Sequence, residues 1–233
     1  MLRLEDVHSY YGPSHVVQGV SLSVARGETV ALVGRNGAGK TTLLKTIMGI
    51  VPARRGHVHL DGTEVTRLPT HRIARRGMTL VPEDRRIFPR LTVAENLRVA
   101  GLARGAGDRT ALDRVLEYFP RLRERLDQAG QNLSGGEQQM LALARGFLTR
   151  PDLMLIDELS GGLMPTLVDA LMDILRRINR DGVTILLVEQ ELEVALAVAS
   201  RCYVLDQGRV QFEGPAEALR RDHDIQARFL GAT

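Results

Sequence analysis

Tryptophan is absent from this chain of 233 residues, and cysteine occurs once, at Cys202. A single thiol excludes an internal disulfide and any cysteine metal cluster; within RCYVL it reads as a small apolar strand residue. Lysine is nearly absent too, since the 31 basic residues are all arginine except Lys40 and Lys45. Where arginine is the default cation, a lysine inside a glycine-rich loop points to a need for a compact ammonium. No apolar run approaches the roughly 18 residues of a membrane span, and MLRLEDV has neither the basic n-region nor the apolar h-region of a signal peptide. The expectation is an intracellular chain that does not itself cross a membrane. Internal repeats and low-complexity tracts are also missing.

What is present is ordinary globular composition, 44% hydrophobic and 25% charged, in a chain long enough to bury a sizeable core. The net charge of +3 and pI near 9.4 permit contact with nucleic acid or an anionic membrane without demanding it. LRLEDVHSYYG and HVVQGVSLSVARGE read as strands joined by a Gly-Pro turn, ETVALVG as a short apolar strand, and KTTLLKTIMG as a helix closed by Gly49. HVHLDGTEV predicts a hairpin turning at Asp61-Gly62, and MTLVPE a strand ending at Pro82. From Arg85 to Asn132 the pattern turns helical, in LTVAENLRVAGLA, RTALDRVLEYF and LRERL. Beyond it, helical GEQQMLALARGFL leads to strand DLMLIDE, helix TLVDALMDILRRI, strand VTILLVE, helix LEVALAVA and hairpin CYVLDQGRVQF. Strands alternating with helices imply an α/β fold with a mostly parallel sheet and right-handed crossovers. The tail AEALRRDHDIQARFLG reads as a pair of short surface helices.

GRNGAGKT, Gly34 to Thr41, fits G-x-x-x-x-G-K-[ST] and stands between a strand and a helix, the context of a phosphate-binding loop. Glycines let successive N–H groups turn inward onto phosphate oxygens, and the helix N-terminus adds its positive dipole end. Lys40 then reaches the β and γ phosphates and the Thr41 hydroxyl holds Mg²⁺. The competing reading is a plain glycine-rich turn. LMLIDE, Leu153 to Glu158, is an apolar strand closed by two acids; Asp157 is placed to bind Mg²⁺ and Glu158 to polarise an attacking water. Tyr10 or Tyr11 could stack on an adenine, and an edge-strand tyrosine is the equal alternative. LSGGEQQ opens a helix with Ser134 as N-cap and two glycines that expose N–H groups. Glu189-Gln190-Glu191, at the end of the strand in GVTILLVEQ, reads as the polar rim of a site.

GRNGAGKTT, then LSGGEQQ, then LMLIDE, with a helical insert before the second, resembles the ATP-binding subunits of ABC transporters over essentially the whole chain. The resemblance implies a P-loop NTPase core carrying an N-terminal antiparallel β subdomain and an inserted α-helical subdomain. It implies one domain, with residues 1–84 and 136–233 as the ATP-binding core and 85–135 as the helical part. It places Gly34, Arg35, Asn36, Gly37, Ala38, Gly39, Lys40, Thr41 and Thr42 around ATP, with Tyr11 favoured for the adenine. Mg²⁺ falls to Thr41, Glu83 and Asp157, and catalysis to Glu158, Gln190 and Glu83. Two such subunits pack head to tail, alike or different, so Ser134, Gly135, Gly136 and Glu137 serve the partner's ATP.

VPEDRRIFPRLTVAENL and LLVEQ are similar to the second ATPase subunit of branched-chain amino acid importers, so the resemblance implies membrane permease partners at the cytoplasmic face. In that arrangement the transported substrate touches only other subunits. A urea or short-amide importer, and a weakly hydrolysing module that dimerises on ATP, are the alternatives. Most of the superfamily has histidine at the position of Gln190 and glutamine at that of Glu83. Leu159 stands for proline, Gly161 for the subgroup's leucine, Met164 for aspartate and Asp84 for the subgroup's glycine, all in loops that organise the dimer and the water. A neutral amide at Gln190 still donates a hydrogen bond but offers no positive charge, which implies slower hydrolysis. Arg72, Arg75, Arg76, Arg85, Arg86 and Arg90 gather around Glu83, as a solvated basic face or as a permease-docking surface. Nucleic acid is not an expected partner: no aromatics interleave these arginines, and the coiled-coil or zinc-bearing inserts of DNA-maintenance relatives are missing.

Overall fold

Period-two alternation inside unbroken apolar runs is what a strand needs when both faces of its sheet are covered. In the computed structural model, which describes residues 1–102 and 109–231, this is how the central strands are built. Strands β1 (Leu2–Tyr11) and β2 (Ser14–Val24) are followed by β3 (Thr29–Val33), α1 (Lys40–Ile47), β4 (Ala53–Leu60), β5 (Thr63–Glu64), α2 (Thr70–Arg75) and β6 (Met78–Val81). Helices α3 (Val93–Gly101), α4 (Arg109–Tyr118), α5 (Pro120–Arg123) and α6 (Gly135–Leu148) come next. Then follow β7 (Leu153–Asp157), α7 (Pro165–Arg180), β8 (Thr184–Glu189), α8 (Leu192–Val198), β9 (Arg201–Asp206), β10 (Arg209–Pro215), α9 (Ala216–Arg221) and α10 (His223–Ile225).

The six-stranded sheet runs β10-β9-β3-β8-β7-β6, parallel except where β10 pairs antiparallel with β9. Leu153, Leu155, Leu186 and Val188 face α1 and the second sheet, whereas Met154, Ile156, Ile185 and Leu187 face α6 and α7. The second sheet, β2-β1-β4-β5, is antiparallel. At its β4–β5 turn Asp61 and Gly62 both have positive φ, 48° and 73°, as a tight two-residue hairpin requires. Helices α3 to α6 share one apolar cluster with Val81 of β6 and with α7. Helix α3 starts with a reciprocal capping box between Thr92 and Glu95. Among the described residues no helix is long and apolar enough to cross a membrane.

Three expectations need correction or completion. Helix α2 falls in a stretch that periodicity leaves unassigned, because only Ile73 of its six residues is buried. The tail does form two short helices at the surface, α9 and α10, but with an inward face: Ala216 and Leu219 are buried, and Ile225, Phe229 and Leu230 are partly buried against the apolar cluster that includes Ala31, Val33 and Val204. Helical LRERL shortens to the single turn of α5. Ala103, the last residue of the segment LTVAENLRVAGLA, lies outside the described residues. Cys202 is fully buried in β9, and burial pushes its thiol up to about 11.

Candidate functional site

Val33, Asp157 and Glu189 end three neighbouring parallel strands, pairing as Val33 with Glu189 and Asp157 with Val188. Loops leaving the carboxyl ends of β3, β6, β7 and β8 therefore converge on one edge of the sheet, where parallel α/β sheets hold their ligands. The β3 loop wraps back on itself, with the Ala38 amide donating to the Arg35 carbonyl at 3.1 Å. Gly34 admits no side chain, since a Cβ would run into the Leu205 carbonyl, and Gly39 enters α1 at φ 105°. Gly39 gives α1 no side-chain cap, so its first amides keep their donors for an anion. The Lys40 ammonium, 4% exposed, donates to the carbonyls of Gly34 (2.8 Å) and Arg35 (3.3 Å) and lies 3.3 Å from a Glu158 oxygen. Asn36 and Gly37 are exposed at the tip, while Ala38 and Thr42 are buried.

Asp157 accepts a hydrogen bond from Thr41 Oγ1 at 3.0 Å. Burial first, then the charges of Glu158 and Glu83, push Asp157 up to about 6 against the opposing Thr41 bond. The structure thus brings Thr41 against Asp157 with Glu158 beside it, while the exposed Glu83 bears on Asp157 only through its charge. A hydroxyl and two carboxylates are hard-oxygen donors of the kind Mg²⁺ takes, but among the described residues no three acidic or imidazole side chains stand together closely enough to hold an ion by themselves. Glu158 has a left-handed backbone, φ 45°. Gln190 is exposed immediately after β8.

Glu189 departs from expectation. It is fully buried rather than part of a polar rim, and takes the amides of Leu159 (2.9 Å) and Ser160 (3.1 Å) on one oxygen and the Ser160 hydroxyl (2.8 Å) on the other. Burial raises its carboxyl above the ordinary carboxylate value, opposed by those bonds and reinforced by Glu158.

Ser134 and Glu137 form a second group. The Glu137 amide donates to Ser134 Oγ at 3.3 Å, and the Ser134 amide and hydroxyl donate to Glu137 Oε2 at 2.9 Å. Burial works to raise Glu137, but the bonds from Ser134 and the Arg125 guanidinium 2.6 Å away outweigh it. Gly135 lies beside Arg85, which forks onto Gln138 (2.9 Å) and Gln139 (3.0 Å) and so ties the Glu83 loop to α6. The hydrogen bonds of Ser134 stay within this group and do not join it to Lys40 or Asp157 of the same chain.

The two tyrosines separate clearly. Tyr10 stacks on His15 at 4.1 Å and carries Arg54 over its ring, whereas Tyr11 is 49% exposed. Of the clustered arginines, Arg75, Arg85 and Arg86 line a groove of about 650 Å³ that also takes in Lys45, Ile50 and Arg145. Arg72, Arg76 and Arg90 are exposed outside it.

The ABC transporter family model matches residues 17–161. The chain belongs to the ABC transporter family. It is 43% identical over 232 residues, 99% of this chain and 100% of the relative, to the high-affinity branched-chain amino acid transport ATP-binding protein BraG of Pseudomonas aeruginosa. It is 34% identical, over 99% of each chain, to the probable branched-chain amino acid transport ATP-binding protein LivF of Archaeoglobus fulgidus. A solved ATP-binding cassette, dimeric in a post-hydrolysis state with ADP and phosphate, superposes with a TM-score of 0.84 at 26% identity, covering 93% of this chain and 99% of that one.

As an ABC subunit the chain binds and hydrolyses ATP, and such subunits pair and work with membrane permeases. Of the site residues read from motifs, Lys40, Thr41, Asp157 and Glu158 lie together in the first group and Ser134, Gly135 and Glu137 in the second; Glu83 bears on the first only through its charge, Gly136 packs against Leu167, and Gln190 and Tyr11 are exposed at the ends of β8 and β1. Sequence reasoning missed Ser160, and it placed Glu189 on the rim of the site rather than buried behind it and Arg85 in a basic cluster rather than against α6. An acid closing an otherwise apolar strand was the available signal for Glu189, and a loop serine near the acid pair for Ser160.

Proposed function

We propose that this ABC ATPase drives a permease importing branched-chain or other hydrophobic amino acids, with Glu158 as the base that activates water. The juxtaposition of Lys40, Thr41, Asp157 and Glu158 at one sheet edge carries the reading. Thr41, Asp157 and Glu83 would hold Mg²⁺, which supplies charge neutralisation between the β and γ phosphates when bound. Lys40 exchanges its contacts with the Gly34 and Arg35 carbonyls for phosphate oxygens, and Glu158 takes the proton of the attacking water. Gln190 donates to the γ-phosphate from the adjoining strand end.

Ser134, Gly135 and Gly136, which stand apart from Lys40 in their own chain, serve the site of a second ATPase subunit packed head to tail. The basic groove beside Arg85 and Arg86 receives a permease segment at the cytoplasmic face. Residues 1–84 and 136–233 act as the nucleotide core, with 85–135 as a helical subdomain within one domain. The amino-acid assignment rests on the two relatives named above, with urea or short amides as the nearest alternative cargo.

The test is phosphate release from purified protein with Mg-ATP. Glu158→Gln is expected to lower turnover roughly 10²- to 10⁴-fold while ATP binding persists; parental turnover in that variant would refute the base assignment. A second reading, an ATP-dependent dimerisation module with little turnover, is favoured by Gln190, Leu159 and Met164, the last 70% exposed. Release abolished by Glu158→Gln excludes it. Uptake of labelled leucine against urea, in cells carrying the co-purifying permease, tests the cargo.

A further inference from the structure

A non-glycine residue in the left-handed region is disfavoured and persists only where its surroundings over-determine it. Glu158 is such a residue, at φ 45°. Its own amide donates to the Val188 carbonyl at 2.9 Å, so it is fixed from the front by β8. It is fixed from behind by the next residue of the same strand, through Glu189's bonds to the amides of Leu159 and Ser160 and the Ser160 hydroxyl. Two consecutive residues of β8 thus hold the turn at both ends, and the residue after them is Gln190.

A carboxylate is an unexpected choice for a merely structural brace. Glu189 is fully buried, and its partners are two amides and a hydroxyl, none of them cationic. Burying an ionisable group without a counter-charge is unfavourable, so packing alone does not explain it. What a carboxylate offers here is two oxygens set at a fixed angle, one for two successive amides and one for a hydroxyl, which determines the rotation of the peptide after Glu158.

We infer that Glu189 is a positioning residue for hydrolysis, its carboxylate holding the turn Glu158–Ser160 so that the Glu158 side chain faces Lys40 and the attacking water. The inference rests on the assignment of Glu158 as base. Because Glu189 and Gln190 are neighbours at one strand end, it also joins the residue offered to the γ-phosphate to the loop bearing the base.

The experiment measures steady-state phosphate release and fluorescent-nucleotide binding for Glu189→Ala, Glu189→Gln and Ser160→Ala. Glu189→Ala is expected to lower kcat about ten-fold or more, with KM for ATP changed less than about two-fold, because misplacing a reacting group by an ångström has effects of that size. Glu189→Gln keeps one carbonyl oxygen for both amides and should recover to within about three-fold of the parent, since only the weaker hydroxyl bond is rearranged. In single-turnover measurements on a Glu158→Gln background, Glu189→Ala should cause no further loss. A purely structural role would slow both backgrounds equally, and that result would overturn the inference, as would an unchanged kcat in Glu189→Ala.

If Glu189→Ala does not fold, Ser160→Ala decides. A fall in kcat at constant KM in Ser160→Ala supports the inference, and an unchanged kcat in that variant refutes it. Glu158→Gln at the parental rate while Glu189→Ala is slow would overturn the base assignment instead. Glu158→Gln inactive beside a fully active Glu189→Ala would overturn only the positioning role.

Discussion

Replacing Asp157 with Asn should make the nucleotide-free protein more stable while removing its turnover. Asp157 is 3% exposed, and burial with the charges of Glu158 and Glu83 lifts it from an ordinary 3.8 to about 6. The folded state therefore holds a proton that the unfolded chain releases. Stability linked to this group is fully present below pH 3.8, falls as pH rises through about 6, and is absent above it. Over that window the loss is about 3 kcal/mol, at ~1.4 kcal/mol per pH unit. Asparagine carries no charge and still offers an oxygen to Thr41 Oγ1, 3.0 Å from the acid it replaces. Allowing about 1 kcal/mol for the weaker bond to a neutral acceptor leaves a gain of about 2 kcal/mol at pH 7.5. For a chain of this length that is a rise in Tm of roughly 4 to 8 °C. Thermal unfolding without nucleotide at pH 7.5 and pH 4.5 is the assay, and the gain should shrink at the lower pH. A variant that melts at or below the parent at pH 7.5, or a gain that grows on acidification, would refute the account of this carboxylate.

A Cβ on Gly136 would collide with the Leu167 side chain, so Gly136→Ala should destabilise by about 1 to 3 kcal/mol, with stability recovered in the Gly136→Ala, Leu167→Ala double variant. Tyr11→Ala should weaken ATP binding about ten-fold with little change in Tm, because stacking on a base contributes about 1 to 3 kcal/mol and the ring is half exposed; nucleotide titration checks it, and unchanged affinity excludes the stacking role. Gln190→His should raise kcat about ten-fold if imidazolium adds ~1.4 kcal/mol of transition-state stabilisation, and a slower variant would show that the glutamine is suited to this site.

The parallel core was legible because LMLID, TILLVE and TVALV combine apolar continuity with the length of strands, and each ends where a glycine or an acid begins a loop. The phosphate loop was equally plain, its glycines and Lys40 being fixed by close backbone approach rather than by distant contacts. Helix α2 was not legible, since a six-residue element with one buried side chain leaves no periodicity to read. The tail was read in part for a related reason: its polarity marks two short surface helices, but only the apolar cluster that includes Ala31 and Val204 explains why Leu219 is buried and Phe229 partly so. Glu189 was read as facing out because an acid at a strand end usually does. Its burial depends on amides thirty residues earlier in the chain, a relation no local pattern carries.

The one thiol of the chain is buried in β9, its proton held by burial to about pH 11. Alkylating reagents attack thiolates, so at neutral pH this position is chemically silent in the folded protein. A cysteine introduced at a surface position such as Met164, 70% exposed in the loop after Glu158, would then be the sole reactive handle. Met164→Cys carrying an environment-sensitive fluorophore would report changes around this loop at each step of the ATP cycle, with no native cysteine to remove first.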